Sequence, residues 1–250
     1  MTRAPPLDPD SALFLDVDGT LLEIAPRPEL VRVSPTLPDL LERLARQRNS
    51  ALALISGRPI ADLDRLFRPW QGAAAGLHGA ERRRADGTLV ESDQSTADRD
   101  AAAALDRLRP TLGECERRWA GAWIEDKGRT LALHYRAIPE KDAEIRDAME
   151  RLAQNESGSL RLIAGKMVFE LQPRHRNKGA VIAAFLAEPP FRGRRAVFIG
   201  DDTTDEDGFA EVNRRGGTSI RVGAPAPSAA MYNLASVADA LDWLTAAAKG

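Results

Sequence analysis

Two aspartates one residue apart follow the first strongly apolar run of the chain. The run 12–15 leads directly into Asp16, Val17, Asp18 and Gly19. A short apolar run bounded by acids and glycine is typical of a buried strand in a parallel sheet, and open α/β sheets bind ligands beyond the carboxyl ends of their strands. Because side chains i and i+2 of an extended chain point the same way, the pattern predicts that both carboxylates address one phosphate and one cation.

Two other interpretations of this segment exist. Asp and Gly are common in surface turns, and alternating acids also begin a calcium-binding loop. A calcium loop needs further oxygen ligands and a closing glutamate at its twelfth position, whereas Leu21, Leu22 and Ile24 follow here. We therefore favour phosphate chemistry, with a surface turn as the alternative.

Two more polar segments suit the same chemistry. Ser56, Gly57 and Arg58 follow the apolar run 51–55, where a hydroxyl, backbone N–H groups and a helix N-terminus can gather around phosphate oxygens. The same residues are also good turn formers. Lys178 opens a helical pattern, where its compact charge can neutralise crowded carboxylates and phosphate, or can simply be solvated.

An acidic run follows another strongly apolar segment. Asp201, Asp202 and Asp205 come directly after the predicted strand 196–199, and hard oxygen donors at such a strand end can hold magnesium. Since parallel strands end at one edge of a sheet, we expect all these segments to converge there. The chain has neither a P-loop motif nor a Gly-x-Gly-x-x-Gly after its first strand, which argues against nucleotide and dinucleotide enzymes.

The composition is that of a folded globular protein. The 250 residues are 43% hydrophobic and 29% charged, with a formal net charge of -2, so nothing favours binding to nucleic acid or to an anionic membrane. The single cysteine, Cys115, excludes an intramolecular disulfide and a cysteine-built zinc site. We find no pattern of a signal peptide or membrane span and expect a cytoplasmic protein.

Most of the chain alternates short apolar runs with helical patterns, which is typical of βαβ units in a parallel sheet. The predicted strands of this part are 12–15, 51–55, 73–77, 196–199 and, as the last core strand, 219–222; the predicted helices include 36–47 and 60–67. The fold class is therefore α/β.

The middle of the chain has a different pattern. A predicted helix over 96–112 precedes a hairpin of 122–126 and 130–136, and a second helix over 140–154 precedes a hairpin of 160–163 and 167–171. This order indicates a small α+β unit inserted into the α/β domain. We expect domain limits of 1–92 and 172–250 for the two parts of the core and 93–171 for the insertion.

The polar segments resemble a known superfamily. Segments 16–20, 56–58 and 200–205, together with Lys178, stand in the four-motif order of the haloacid dehalogenase (HAD) superfamily. Segments 76–81, 125–128, 134–136 and 165–171 resemble the trehalose-6-phosphate phosphatase family within it. The resemblance implies a HAD-like Rossmannoid parallel sheet core with an inserted cap domain.

The resemblance also assigns roles to the core residues. It implies that Asp16 is the nucleophile and that Asp18 protonates the leaving oxygen and then deprotonates the attacking water. Ser56 and Lys178 complete the catalytic set. Mg²⁺ would be bound by the Asp16 carboxylate, the Asp18 backbone carbonyl and the Asp201 carboxylate. Asp202 and Asp205 would hold these residues in position without binding the metal themselves.

Substrate contacts are the third implication of the resemblance. The residues assigned to them are Gly57, Arg58, His78, Glu125, Lys127, His134 and Glu170. Alternation places Glu125 with Lys127 on one strand face, and Lys166 with Glu170 on another. Without the resemblance, a solvated sheet face is the simpler interpretation of these charges. At the position of Gln172 the resemblance would lead us to expect arginine, so any contact there is in question.

The implied reaction is magnesium-dependent hydrolysis of trehalose 6-phosphate to trehalose and phosphate through an aspartyl-phosphate. The alternatives are a phosphatase of another sugar phosphate, a phosphosugar mutase, or a non-catalytic sugar-phosphate sensor. We expect a monomer that acts on a small-molecule sugar phosphate, and a synthase partner remains open.

Overall fold

The computed structural model describes residues 2–25, 30–90, 96–165 and 167–249, without the side chains of Thr2, Arg3 and His78. The chain divides into two compact units. Unit 1 comprises Met1–Glu91 and Asn177–Gly250, and unit 2 comprises Ser92–Arg176. The second unit is therefore an insertion into the first.

The helices and strands follow one another as listed here. They are β1 Thr2–Arg3, β2 Ala12–Leu15, α1 Leu37–Gln47, β3 Leu52–Ile55, α2 Ile60–Leu66, β4 Ala73–Gly76, β5 Glu81–Arg83, β6 Leu89–Val90, α3 Thr96–Arg118, β7 Trp123–Asp126, β8 Leu131–His134, α4 Asp142–Asn155, β9 Leu160–Gly165, β10 Val168–Pro173, α5 Lys178–Leu186, β11 Ala196–Gly200, α6 Glu206–Arg214, β12 Thr218–Val222, β13 Tyr232–Leu234 and α7 Val237–Ala247. None of the helices in the described ranges is long and apolar enough to cross a bilayer.

Unit 1 is built on one sheet, whose strand order within the described ranges is β1-β13-β12-β11-β2-β3-β4-β5-β6. In this spatial order, each strand from β1 through β13, β12, β11, β2 and β3 to β4 pairs in parallel with its neighbours. β5 and β6 then add an antiparallel edge beside β4. The central strands β2, β3 and β11 are buried over their whole length. Both of their faces are covered, which explains why each is a continuous apolar run. The predicted α/β class with a parallel sheet is confirmed.

The prediction that 219–222 is the last core strand is wrong. β13 pairs with β12 beyond it, and β1 from the N-terminus pairs with β13. All three residues of β13 are half-buried, and β1 has only two residues. Neither strand has the apolar run that marks a fully buried strand, so pattern alone does not reveal them.

Helices cover both faces of this sheet. Leu13 and Leu15 of β2 belong to the apolar cluster that includes Leu41 of α1 and Leu244 of α7. Phe14, which points the other way, stacks on Phe191 at a ring distance of 5.4 Å and packs against α5. Alternating side chains of β2 are therefore anchored on both sides, and the chain leaves the strand toward Asp16 from a fixed position.

Unit 2 contains an antiparallel sheet of order β7-β8-β10-β9. Helices α3 and α4 cover one face, with Leu105, Ile145, Leu133 and Phe169 among the buried contacts. The predicted hairpins and the second helix are confirmed, while α3 continues to Arg118, past the predicted end at 112. The other face of the sheet carries polar side chains from β7, β8 and β10.

Candidate active site

The carboxyl ends of β2 and β11 place Asp16 beside Asp201 and Asp205. The two strands pair in parallel, with Leu15 opposite Ile199, and the Asp16 N–H donates to the Ile199 carbonyl at 2.9 Å. One carboxylate oxygen from each of the three aspartates lies within 4.8 Å of the others. The predicted convergence of these segments is therefore present in the structure.

Lys178 joins two of these carboxylates. Its Nζ donates to Asp16 Oδ1 at 2.7 Å and to Asp205 Oδ1 at 2.6 Å, and the residue is only 3% exposed. Its position follows from the start of α5, where the side chain of Asn177 caps the helix by accepting the Ala180 N–H at 2.8 Å. The first residue of α5 is thus held at the end of β2.

Asp205 organises the loop after β11. Its Oδ2 accepts the N–H groups of Asp201 and Asp202 at 3.0 and 3.1 Å, and its Oδ1 accepts from Lys178. The side chain of Asp202 in turn accepts the Thr204 N–H at 2.8 Å, which completes a capping box. A carboxylate with three donors is well suited to hold the loop, and less suited to react.

Two glycines let the backbone pass close to these acids. A Cβ on Gly19 would lie 2.0 Å from Asp201 Oδ2, and the φ of Gly19 is +85°. A Cβ on Gly200 would lie 2.3 Å from the carboxyl carbon of Asp205. Neither position has room for a larger residue, so both glycines are required for this close packing.

Burial, with a smaller contribution from mutual repulsion, strongly raises the pKa values of two of the aspartates. Burial raises the pKa of Asp16 to about 7 against the attraction of Lys178, and nearby Asp201 adds to the rise. Burial likewise raises the pKa of Asp201 to about 7, with repulsion from Asp202 and Asp205. Burial alone would lower the pKa of Lys178, but Asp16 and Asp205 raise it well above its usual value. Negative charge therefore exceeds positive charge in the cluster.

This donor set fits a hard divalent cation. Asp16 Oδ2 is buried and accepts no hydrogen bond from the described residues, and the carboxylate of Asp201 is close to it. Buried carboxylate oxygens that lack a donor are the ligands that Mg²⁺ prefers. A bound cation would also offset the mutual repulsion that raises the pKa values of Asp16 and Asp201.

The Asp18 carboxylate pairs with Arg58 and is not in the carboxylate group of Asp16, Asp201 and Asp205. β2 ends at Leu15, and the Val17 carbonyl accepts the Leu21 and Leu22 N–H groups at 2.9 Å. The chain therefore turns just after Asp18. The Asp18 carboxylate accepts two 2.7 Å bonds from Arg58, and the expectation that both carboxylates address one phosphate and one cation stays a prediction. Coordination of Mg²⁺ by the Asp18 backbone carbonyl stays a prediction.

Ser56, Gly57 and Arg58 follow β3 directly, as predicted. Ser56 is buried, and its Oγ accepts the Arg58 N–H at 3.1 Å. The guanidinium of Arg58 is 9% exposed and lies on Asp18. The serine hydroxyl thus stabilises the turn after β3 from which Arg58 reaches Asp18, beyond the carboxyl end of β2.

Glu81 is a site residue that sequence reasoning did not assign. Its Oε2 accepts the Ile60 N–H at 2.8 Å, at the start of α2. A carboxylate at this position satisfies a free N–H group of the helix and fixes the turn that carries Arg58. Glu81 lies in the segment 76–81 that supported the resemblance, and this was the available signal. The side chain of His78 in the same segment lies outside the described residues.

In unit 2, four predicted residues form one connected group, the hairpin cluster of Glu125, Lys127, His134 and Glu170. His134 Nε2 lies 3.0 Å from Glu125 Oε2. Lys127 Nζ lies 3.7 Å from Glu125 Oε2 and 3.5 Å from Glu170 Oε1. Glu125 and Glu170 both pair with Ala132 in the sheet register, so they share one face.

Close polar partners stabilise the ionised form of Glu125 in the hairpin cluster. The hydrogen bond from His134 lowers the pKa of Glu125 against a rise from burial, and Lys127 lowers it further. Lys166 lies outside the described residues. Gln172, on the same strand as Glu170, is buried, and neither polar atom of its amide has a hydrogen-bond partner among the described residues.

Comparison with known proteins identifies relatives over nearly the whole chain. The model of the trehalose-phosphatase family matches residues 14–238. A probable trehalose-phosphate phosphatase of Sinorhizobium fredii is 45% identical over 236 residues, which cover 94% of this chain and 86% of that protein. The trehalose-6-phosphate phosphatase of Escherichia coli is 42% identical over 246 residues, which cover 98% of this chain and 89% of that protein.

Solved structures show the same fold at lower identity. The C-terminal domain of Candida albicans trehalose-6-phosphate phosphatase aligns with a TM-score of 0.84 and 22% identity, over 98% of both chains. A HAD-superfamily phosphatase from Bacteroides thetaiotaomicron aligns with a TM-score of 0.60 and 17% identity, over 93% of this chain and 92% of that one. The fold is thus HAD-like, a Rossmannoid core with an inserted cap.

Proposed function

The chain belongs to the trehalose-phosphatase family, and from this premise we propose that it hydrolyses trehalose 6-phosphate to trehalose and phosphate. The observation that carries the proposal is the state of Asp16. Its carboxylate is buried next to that of Asp201, with Oδ1 bound to Lys178 and Oδ2 accepting no hydrogen bond from the part of the chain that the structure describes. An oxygen held in this way is available to attack phosphorus.

The proposed reaction has two displacements at phosphorus. In the first, an Asp16 oxygen bonds to phosphorus, the bond from phosphorus to the sugar oxygen breaks, and Asp18 gives that oxygen a proton. In the second, water attacks phosphorus, Asp18 takes the proton of the water, and the bond to Asp16 breaks. Asp18 thereby serves first as acid and then as base, and ends in its starting state.

Lys178 is proposed to keep Asp16 ionised and oriented. Its Nζ is buried with Asp16 and Asp205 at hydrogen-bond distance, and its charge opposes the effect of burial on the pKa of Asp16. A fixed ammonium also stabilises the charge on the phosphoryl group in transfer. Ser56 is proposed to assist by donating a hydrogen bond from its hydroxyl group to a phosphate oxygen.

Mg²⁺ is the proposed cofactor, held by Asp16, the Asp18 carbonyl and Asp201, with Asp202 and Asp205 in support. When bound, it neutralises charge on the phosphoryl oxygens during transfer. Binding of the metal also requires carboxylates that are held rigidly in place. Asp205 holds the loop of Asp201 and Asp202 by accepting hydrogen bonds from their N–H groups.

Arg58 is proposed to position Asp18 as well as to bind substrate. Both Asp18 oxygens accept from the guanidinium in the present conformation. Because proton transfer needs a free oxygen, at least one of these bonds must open during the reaction. Phosphate oxygens are strong acceptors for a guanidinium, so the arrival of a phosphate would favour this opening.

The hairpin cluster is proposed to recognise the sugar. It offers carboxylates, an ammonium and an imidazole on one sheet face, and a disaccharide presents many hydroxyl groups that both donate and accept. Gly57 and His78 are proposed as further substrate contacts by resemblance. Three further points stay predictions from the sequence: the limits 93–171 for the cap, a monomeric state and cytoplasmic residence. A synthase partner is left open.

Phosphate release from a panel of sugar phosphates tests this function. Trehalose 6-phosphate, sucrose 6-phosphate and glucose 6-phosphate are each assayed with Mg²⁺ and with a chelator. We expect free phosphate chiefly from trehalose 6-phosphate, and only with the metal. Preference for another substrate would overturn the sugar assignment, while a bisphosphorylated intermediate without free phosphate would indicate a mutase.

A further inference from the structure

Trp123 is a large aromatic residue on the polar face of the unit 2 sheet. It begins β7, two residues before Glu125, and is 45% exposed. Since strand side chains alternate, Trp123 and Glu125 lie on the same face, whereas Ile124 between them packs against the apolar core. The indole therefore borders the hairpin cluster directly.

The indole is held in one orientation. Trp123 pairs with His134 across the strands, and the two rings stack with centroids 4.0 Å apart and planes within 5°. His134 is in turn bonded to Glu125 through Nε2. One face of the indole is thus covered by imidazole, and the ring is fixed relative to the carboxylate that the cluster is built around.

Trp123 has no evident structural task that requires this exposure. Trp119, in the same unit, is 4% exposed, belongs to the apolar core and donates its indole N–H to Glu144. Among the described residues, Trp123 is not part of that core. Tryptophan is enriched at binding surfaces, because its ring supplies a large, rigid contact area with a polar edge.

We propose that Trp123 determines specificity by stacking on a glucose ring of the substrate. A glucose ring has C–H groups on its faces and hydroxyl groups around its rim, so it matches an indole face bordered by charged acceptors and donors. Two residues of a strand span about 7 Å, which lets Glu125 reach the rim of a ring that lies on Trp123. The assignment rests on the proposed function, because it takes the sugar to be that of trehalose 6-phosphate.

The indole is preorganised for binding a sugar. The stack on His134 already restricts the indole, so little conformational entropy is lost when a sugar binds. A freely rotating aromatic side chain would lose more. The same stack makes the contribution of Trp123 depend on an aromatic ring and not merely on apolar volume.

Kinetics of four variants test the role of Trp123. W123A and W123L should raise KM for trehalose 6-phosphate about tenfold, as expected for the loss of one aromatic stack, and W123F should retain most of the affinity. Turnover of p-nitrophenyl phosphate should not change in any of them. L89A, which removes an exposed apolar side chain of unit 1, is the matched control and should not alter either substrate.

Binding measurements separate direct stacking from an effect through Glu125. Trehalose 6-phosphate is titrated calorimetrically into D16N, which should bind without turnover, and into D16N with W123A, with E125A and with both. Direct stacking predicts a further weakening of about tenfold on adding W123A to the E125A background. No further weakening there, or equal affinity of D16N with W123A and of D16N alone, would overturn the role of Trp123.

The titrations and the kinetics together distinguish this inference from the proposed function. Binding of trehalose 6-phosphate to D16N without phosphate release by the wild type would overturn the proposed reaction alone. Normal hydrolysis with unchanged KM in W123A and W123L would overturn the stacking role alone. Neither binding to D16N nor hydrolysis by the wild type would overturn both.

Discussion

Each of the two units contains a group of carboxylates around one lysine, but the two groups differ in burial. In unit 1, Asp16, Asp205 and Lys178 are at most 4% exposed. In the hairpin cluster of unit 2, the side chains of Glu125, Lys127 and His134 are 31%, 18% and 23% exposed. Similar residue types therefore have very different contact with water.

The difference reverses the pKa shifts. Burial raises the pKa values of Asp16 and Asp201 to about 7, whereas the hydrogen bond from His134 lowers the pKa of Glu125. The buried group has a deficit of positive charge that favours a bound cation, and the charge of that cation would in turn attract a phosphoryl group. The hairpin cluster has its charges paired, and paired polar groups at a water-accessible face are suited to the hydroxyl groups of a neutral sugar.

The largest expected effect comes from removing the nucleophile of the buried group. Asp16→Asn changes one atom and should lower kcat by on the order of 10⁴-fold or more, as loss of a nucleophile does in other enzymes. Phosphate release from trehalose 6-phosphate measures it. Asp86→Asn, at an exposed turn of the same unit, is the control and should keep full activity. Wild-type turnover in a verified Asp16→Asn protein would exclude the mechanism.

The next effect tests whether Lys178 compensates the buried acids. Lys178→Met leaves Asp16 and Asp205 without their shared donor, and breaking such a buried pair lowers the free energy of unfolding by about 3–5 kcal/mol. Denaturant unfolding of chelator-treated protein measures this change. Lys141→Met removes an exposed pair with Glu144 and should lower that free energy by about 1 kcal/mol or less. Equal effects of the two variants would deny Lys178 its structural role.

A third effect concerns pH and metal together. Because the folded pKa values of Asp16 and Asp201 lie near 7, above the ordinary value of 3.8, their contribution to stability is complete below that ordinary value and is lost as the pH rises through 7. The thermal midpoint of chelated protein should therefore lose this contribution between pH 4 and 7. Mg²⁺ needs ionised carboxylates, so its stabilisation should grow over the same range.

Asp201→Asn is the variant that isolates this effect. Mg²⁺ at 100 times its dissociation constant should add about 2.7 kcal/mol to the stability of the wild type. Asp201→Asn should bind the metal more weakly and show a smaller fall in stability with rising pH. Differential scanning fluorimetry across pH, with and without Mg²⁺, gives both quantities. Identical pH and Mg²⁺ profiles of the variant and the wild type would contradict the buried-charge account.

The smallest expected effect belongs to the hairpin cluster. Glu125→Ala should reduce kcat/KM for trehalose 6-phosphate by about 10- to 100-fold, the range for a charge-assisted hydrogen bond, and leave p-nitrophenyl phosphate nearly unaffected. Glu156→Ala, which removes a partner of Arg107 in the same unit, is the control. Equal losses of Glu125→Ala on both substrates would assign Glu125 to general structure and not to sugar recognition.

Sequence pattern predicted the parallel sheet and the meeting of Asp16, Lys178 and Asp201. These predictions succeed because the buried central strands are continuous apolar runs, and because parallel pairing brings their carboxyl ends to one edge. The hairpin cluster followed from strand alternation together with the family resemblance. Strands β1 and β13, at one side of the sheet, lack an apolar run, and the sequence pattern did not predict them.

Only the tertiary structure decided how the polar atoms pair. It places Asp18 on Arg58, the Glu81 carboxylate on the N–H of Ile60, and the ring of Trp123 on His134. Such contacts join residues far apart in sequence or on different strands, and they depend on where a turn leaves a strand and on the register of a hairpin. The sequence by itself determined which segments are buried and where they end, because burial follows from hydrophobic periodicity. Which donor meets which acceptor depends on loop paths and rotamers, which periodicity does not specify.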